Sequence, residues 1–382
     1  MSEIKRTVGL KGLQRTRIRS SETSRKTPKL QFDFKPFSAN DSTHKNTTDR
    51  APKGQPEPAE GIEKQRLVTN QKLVTNEREF LEWFIGFFEA EGSFIFWTEK
   101  KKTRFRIEVS QQDKDLLYFI KKQFGFGKVV AIKPKTGNPY WRYGIEDLSS
   151  LLQMIALLNG NLILQKKRVG FKKWLFEFNK RYTTHIVFKE EIPQITLTDG
   201  WLSGFLEGDG GFYIPQNFIR PTKKGEAYNL KLRFFVTQKD GSDLISQLRS
   251  LLKVTTPVRD QINTVISPIT KLEEKRLYNR IDTATLESAT ILLEYLTRFP
   301  FLGVRQITID SWKKLMKYRR TTYPVTAETT ATIQNLVDQT KKVGSLLQPN
   351  RPDPPRTAAV LDIESSALQE PESKLEDVKK FE

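Results

Sequence analysis

Through the middle of the chain, apolar residues recur with two different periods, and the switches between them mark out the elements. Phe84-Ile-Gly-Phe-Phe-Glu-Ala-Glu-Gly-Ser-Phe94 opens as an almost wholly apolar helix, then passes at Gly92 into Ser93-Phe-Ile-Phe-Trp97, whose aromatic and β-branched residues favour a strand. From Thr103 to Gln111 the pattern alternates. Arg104, Arg106, Glu108 and Ser110 share one face, and Phe105, Ile107, Val109 and Gln111 share the other. An amphipathic helix, a β-like stretch with the cluster Tyr140-Trp-Arg-Tyr143 and a helix bearing Trp174 follow. The succession restarts 118 residues on, at Leu202-Ser-Gly-Phe-Leu-Glu-Gly-Asp-Gly-Gly-Phe212. It runs through Gly211-Phe-Tyr-Ile214, the alternation of Lys231 and Arg233 with Leu232 and Phe234, then Gln238, Leu277-Tyr-Asn-Arg280 and a helix bearing Trp312. So many features in one order predict two copies of a single α+β unit: helix, two strands, helix, two strands, helices.

The repeated helix carries small residues four apart, Gly86 with Ala90 and Gly204 with Gly208, which puts each pair on one face. Glycine inside a helix costs about 1 kcal/mol relative to alanine, so these positions call for a packing reason. Close approach of the two helices supplies it. Gly92 and Gly210 then suit left-handed helix caps, and Glu91 and Asp209 stand just before them. Paired about a pseudo-twofold axis, the helices would bring these two acids together. Carboxylates at helix C-termini meet mutual repulsion and the negative end of the helix dipole, an arrangement that a bound cation would compensate. Oxygen-only ligation suits Mg²⁺, or Mn²⁺, and with it phosphodiester hydrolysis. A single such acid would read as an ordinary solvated carboxylate; its recurrence at the same motif position favours a site. Glu89 and Glu207, two residues earlier, face another side and read as structural partners of basic residues.

Charge sharpens the picture. Lys and Arg number 64 against 45 Asp and Glu, a net +19, which points to a polyanionic partner. With no Cys and only His44 and His185, thiolate zinc sites, Cys nucleophiles and common His-based metal nuclease motifs are excluded. No apolar stretch approaches the roughly 18 residues of a membrane span. Residues 1–76, net +8, and 321–382, net −3 and Pro-rich, read as flexible tails, the second with a helix over Val325 to Leu347. The Arg- and Ser-bearing N-terminus suggests an organellar transit peptide, although Glu3, Glu22 and weak amphipathicity count against one. The remaining +14 belongs to the part expected to fold.

Phe84 to Gly92 and Leu202 to Gly210 resemble the two signature helices of double-motif LAGLIDADG homing endonucleases, and the resemblance extends over about residues 77–320. It implies an α+β fold of two pseudo-twofold αββαββα units, 77–190 and 191–320, whose saddle-shaped antiparallel sheets straddle double-stranded DNA. The implied protein is a monomer that cuts DNA with divalent metal ions and is encoded in a group I intron of a mitochondrion or, alternatively, a chloroplast. An RNA maturase acting on group I intron RNA, or a DNA-binding protein that has lost catalysis, is the other reading. By the same resemblance Glu91 and Asp209 hold metal. Gln111 and Gln238 position water, and Lys167 and Arg305, each seven residues before its Trp, face the scissile phosphates. Gln112 and Lys166 remain alternatives to their neighbours. On the polar strand faces Arg104, Arg106, Lys231 and Arg233, with Arg142 and Arg280 of the aromatic-basic clusters, are expected to meet DNA.

Overall fold

The computed structural model describes residues 77–347, apart from 101, 135–138, 215–217, 223–224, 267–271 and 321–324. Expectations for residues 1–76 and 348–382 lie outside the described residues. The first unit begins with α1 (Glu77–Glu91), buried from Phe80 to Glu89 except at the half-buried Glu82, as its nearly continuous apolar sequence requires. β1 (Gly92–Glu99) and β2 (Lys102–Gln111) follow, then α2 (Lys114–Phe124), β3 (Lys128–Ile132), β4 (Tyr140–Ile145), α3 (Leu148–Leu158) and α4 (Gln165–Tyr182). The second unit repeats this with α5 (Trp201–Asp209), β5 (Gly210–Tyr213), β8 (Arg233–Lys239), α6 (Ser242–Leu251), β9 (Arg259–Ile266), β10 (Glu273–Thr283), α7 (Leu286–Arg298) and α8 (Gln306–Arg320).

Both sheets are antiparallel and wound alike, β1-β2-β4-β3 and β5-β8-β10-β9. The register repeats too: Gly92 lies opposite Val109 and Gly210 opposite Val236. Gln111 pairs with Trp141 and Gln238 with Asn279, which makes the two glutamines equivalent. Alternation in β2 resolves as the sequence predicts, with Phe105, Ile107 and Val109 buried and Arg104 exposed. Trp174 edges against Phe105 behind that sheet and donates its indole N–H to the Ile95 carbonyl at 3.0 Å; Trp312 packs on Phe212 in the second unit. Both Trp residues are core anchors.

Two features depart from the expected plan. A hairpin, β6 (Ile219–Thr222) and β7 (Gly225–Tyr228), is inserted between β5 and β8 and forms a sheet of its own, while Lys231 lies just ahead of β8 rather than within it. The second is the last helix, α9 (Ala327–Leu347), which occupies the span read as a helix within a loose tail but buries Ile333, Leu336, Val337, Thr340 and Val343. Val343, Leu346 and Leu347 pack on Val304 and Ile307 at the start of α8, and Tyr228 of the inserted hairpin meets Thr330 at 3.0 Å. α9 is therefore part of the core. Val337→Asp, at a fully buried position, is expected to lower folding stability by about 3 kcal/mol or more, read as a lower melting temperature than that of an exposed control such as Lys342→Asp. Among the described residues no helix is long and apolar enough to cross a membrane.

Candidate active site

α1 and α5 meet through their glycines. A Cβ added to Gly86 would lie 1.9 Å from the Trp201 carbonyl oxygen, and one added to Gly204 would lie 1.8 Å from that of Trp83. At Gly208 a Cβ would stand 2.4 Å from the Ala90 Cβ and 3.0 Å from the Glu91 Cγ. The two backbones touch along the small-residue faces and bring the acid-bearing ends together. Neither Gly92 nor Gly210 takes the left-handed conformation expected of them; Gly210 has φ −76°. Their reason is steric, because a Cβ would come within 2.5 Å of the Phe88 and Leu206 carbonyl oxygens respectively.

Glu89 and Glu207 bind the helices reciprocally. The Trp201 indole N–H donates to Glu89 Oε2 at 2.8 Å, and that of Trp83 donates to Glu207 Oε2 at 3.0 Å. Each carboxylate also takes two backbone N–H groups of its own unit: Ile163 and Leu164 at 2.8 and 2.6 Å for Glu89, Leu302 and Gly303 at 2.8 and 2.6 Å for Glu207. They are structural, as expected, but their hydrogen-bond partners are indoles and amides rather than the cations anticipated. Burial pushes both carboxyls up to about 7 against the pull of these donors.

At the helix ends Gln111 Nε2 donates to Glu91 Oε1 at 3.1 Å, while Gln111 Oε1 accepts from the Gln112 N–H at 2.8 Å. Gln111 thus reaches the acid. Gln238 lies against Gly241 and, among the described residues, makes no hydrogen bond to Asp209. Lys167 donates to the Gly92 carbonyl and Arg305 to that of Gly210, a matched pair. Arg305 also reaches the Gly208 carbonyl at 3.3 Å. Lys166 is exposed, so Lys167 is the lysine that faces the acids.

Desolvation and then the nearby Glu91 push the Asp209 carboxyl up to about 8, against the attraction of Lys167 and Arg305. Desolvation and neighbouring Lys166 bring Lys167 down to about 8, with Asp209, Glu89 and Glu91 opposing. Arg305 is lowered by desolvation and raised by Glu207, Glu91 and Asp209. Two carboxylates and two enclosed cations therefore share one poorly solvated locus. Among the described residues no group of three or more His, Asp or Glu could hold an ion alone. The donors are hard oxygens, and the desolvation and Glu91 charge that oppose ionisation of Asp209 are what a divalent cation would relieve, so the residues suit Mg²⁺ or Mn²⁺ provided that other oxygens complete the shell.

The outward strand faces are basic but internally paired. Arg106 meets Glu146 at 2.5 Å and Glu108 at 3.3 Å, Arg142 meets Glu108 at 3.5 Å, and Arg104 meets Glu99 at 3.4 Å. Arg280 lies over the Phe235 ring at 4.0 Å and near Asp282 at 3.6 Å, and Arg233 lies over Tyr213. Arg142 and Arg280 occupy equivalent ladder positions, opposite Ser110 and Thr237. Lys231 is exposed. Sequence reasoning passed over Asp113, a buried N-cap that also bonds the Val304 N–H; its only signal was its place two residues after Gln111.

Two stretches, residues 84–177 and 202–316, match the LAGLIDADG endonuclease family, and together they make up more than half of the chain. This protein belongs to the LAGLIDADG endonuclease family. One relative of this LAGLIDADG chain is probable intron-encoded endonuclease 4 of Neurospora crassa, 30% identical over 257 residues, which are 65% of this chain and 42% of that protein. Intron-encoded RNA maturase bI4 of Saccharomyces cerevisiae is 29% identical over 145 residues, 37% of this chain and 21% of the relative. Probable intron-encoded endonuclease Cox1-I1b of Schizosaccharomyces pombe is 24% identical over 267 residues, 62% and 64% respectively. The chain thus spans less than two thirds of the length of these curated relatives. Among solved structures, the I-LtrWI LAGLIDADG homing endonuclease bound to target DNA shares the fold at a TM-score of 0.50 and 17% identity, over 69% of this chain and 98% of that one.

Proposed function

We propose that this LAGLIDADG chain is a site-specific double-stranded DNA endonuclease of the intron-homing type, with residues 77–190 and 191–320 as its two units. The observation that carries the reading is the meeting of Glu91 and Asp209 at the ends of two helices in backbone contact, with Lys167 and Arg305 beside them. Endonucleases of this family depend on divalent metal; we assign Glu91 and Asp209 as the protein ligands of Mg²⁺ or Mn²⁺. When bound, the ion lowers the pKa of water and neutralises charge on the phosphate. Around it Gln111 orients Glu91, and Gln238 takes the water-positioning role in the second unit. Lys167 and Arg305 offset charge at the two scissile phosphates, where the new P–O bond to water forms as the bond to the leaving sugar oxygen breaks. Because both motif helices come from one chain, a monomer supplies the complete set.

For the DNA face we assign Arg104, Arg106, Arg142, Lys231, Arg233 and Arg280; the present acidic partners of Arg104, Arg106, Arg142 and Arg280 would give way to phosphates and base edges. Cleavage of the intronless insertion-site duplex in the presence of Mg²⁺, and its absence without metal, tests the reading; an intact duplex under both conditions removes it. A second reading, maturase action on group I intron RNA, has the yeast relative bI4 in its favour, and acceleration of splicing of the intron by the purified protein would support it. The intron-encoded relatives from fungi favour residence in the mitochondrion, with the chloroplast as the alternative.

Binding is expected to fall steeply with salt, with log K dropping by about 0.9 per phosphate neutralised. Removing residues 1–76 should take away part of that slope and leave sequence preference unchanged, because the strand faces supply the base contacts. Paired salt titrations on target and scrambled duplexes measure both quantities.

A further inference from the structure

Asp113 belongs to the first unit and holds the second. Its Oδ1 accepts from the Leu116 N–H at 3.1 Å and caps α2, while its Oδ2 accepts from the Val304 N–H at 2.9 Å. The side chain is 7% exposed, and Val304 immediately precedes Arg305. In the turn that delivers Arg305, four successive amides are taken by side-chain oxygens. Phe301 donates to Gln306 at 2.9 Å, Leu302 and Gly303 to Glu207, and Val304 to Asp113. Gln306 and Glu207 lie in the second unit; of these acceptors only Asp113 reaches across from the first. The turn is so closed that a Cβ on Gly303 would stand 2.6 Å from Glu207 Oε1 and 2.8 Å from Asp113 Oδ2.

The opposite corner lacks this brace. By the repeated register Asp240, two residues past Gln238, corresponds to Asp113, and Lys166 corresponds to Val304. Asp240 sits in the left-handed region with φ +49°, is exposed, and among the described residues makes no side-chain hydrogen bond. α6 begins instead at Gly241, without a side-chain cap. The guanidinium of Arg305 is held by two glycine carbonyls at its fork, while its Nε is buried without a partner, so its placement follows the backbone of the turn that Asp113 pins.

We infer that Asp113 is a positioning residue for Arg305, reaching from one unit into the other, and that it makes the two strand cuts unequal: the phosphate served by Arg305 depends on Asp113, while the phosphate served by Lys167 depends on no such brace. The inference rests on the proposed role of the two cations. It also predicts which neighbour is silent, since Asp240 has the same residue type at the equivalent position without the bond.

Strand-resolved nicking tests this, on a supercoiled plasmid bearing the intronless insertion site and on the same duplex labelled on either strand. Lys167→Met and Arg305→Met first assign one strand to each cation. Asp113→Ser keeps an N-cap for α2 but cannot also reach Val304. It is expected to slow the Arg305 strand at least about tenfold, within the range that small misplacements of catalytic groups cause, and to leave the other strand within about twofold. Nicked circles then accumulate, while Asp240→Ser cuts both strands like the parent. Equal slowing of both strands, slowing of the Lys167 strand alone, or no effect overturns the inference and leaves the function of Arg305 standing. If Arg305→Met spares both strands, the reading of the cations fails, and Asp113 loses its role with it. Circular dichroism and target binding accompany each variant, and Asp113→Asn, which preserves volume, stands in should the serine variant unfold. If neither variant folds and binds, Asp113 is a folding determinant and the inference is withdrawn.

Discussion

Glu91→Gln and Asp209→Asn are each expected to reduce double-strand cleavage by at least about a thousandfold while leaving target affinity within about tenfold, because the role proposed for both side chains is in the reaction and neither lies on the strand faces. The two measurements are single-turnover cleavage of labelled target and equilibrium binding in Ca²⁺ or without metal. A variant that cuts both strands at the parental rate would disprove the two-carboxylate site. Asp209→Asn carries a second signature. Asp209 ionises near 8 in the fold against its ordinary value of 3.8, so between those values the folded protein retains a proton that the unfolded chain has released. Stability contributed at this position therefore falls as pH rises from about 4 to about 8, and levels off above. The amide that replaces the carboxyl in Asp209→Asn does not titrate, so the melting temperature of the variant should pull ahead of the parent across that window in metal-free buffer. Glu89 and Glu207, both raised to about 7, act in the same direction but are common to the two proteins and cancel in the difference. A gap that narrows with rising pH would contradict the burial of the Asp209 carboxyl. The two outcomes together would mark a residue whose presence costs stability and supplies activity.

Gly86→Ala and Gly204→Ala are each expected to destabilise the folded state by about 4 kcal/mol or more, an exceptional loss for the addition of one methyl group. Ordinarily glycine to alanine in a helix gains close to 1 kcal/mol, so the expected sign is opposite to helix propensity. The reason is the 1.8–1.9 Å approach of an added Cβ to a backbone carbonyl oxygen, which no rotamer can relieve. Gly170→Ala in α4, where an added Cβ meets nothing within 4 Å, is the control and should be neutral or slightly stabilising. Chemical denaturation of the three variants decides the matter: an unchanged midpoint for Gly86→Ala and Gly204→Ala would mean that α1 and α5 are not in backbone contact.

Much of this was legible in the order of residues, for identifiable reasons. Small residues four apart announced the helix contact, since only packing repays glycine in a helix. The strict alternation of β2 announced its buried face, and the repeat announced the partner of each acid. Most of what was missed depends on contacts that the local pattern does not display. Nothing local distinguishes Glu89 from a surface acid until Trp201, 112 residues away, is placed beside it. Gly92 and Gly210 carry the composition of a left-handed cap, yet the crowding that selects them comes from Phe88 and Leu206, one turn back. Gln238 matches Gln111 in register and differs in its bonding, which register alone does not disclose. The helix read over Val325 to Leu347 is there, but the tail composition beyond residue 320 concealed its burial, because α9 is moderately polar overall and its apolar stripe acquires meaning only against Val304 and Ile307.

The crossed bonds from Trp83 to Glu207 and from Trp201 to Glu89 bear on how such a molecule can change over generations. Two copies of a unit joined in one chain are ordinarily free to drift apart. Here, a replacement of either indole leaves a buried carboxylate in the other half short of a donor, a loss of about 1–3 kcal/mol that the second half must absorb. The halves are thus bound to a shared ancestry along α1 and α5 and released from it elsewhere. Gly-Phe-Phe-Glu-Ala-Glu-Gly and Gly-Phe-Leu-Glu-Gly-Asp-Gly remain close kin within one chain, while the second half carries a hairpin and a terminal helix that the first, among the described residues, does not share. Novelty in this lineage has its room at the periphery, and the seam between the halves keeps the record of the duplication.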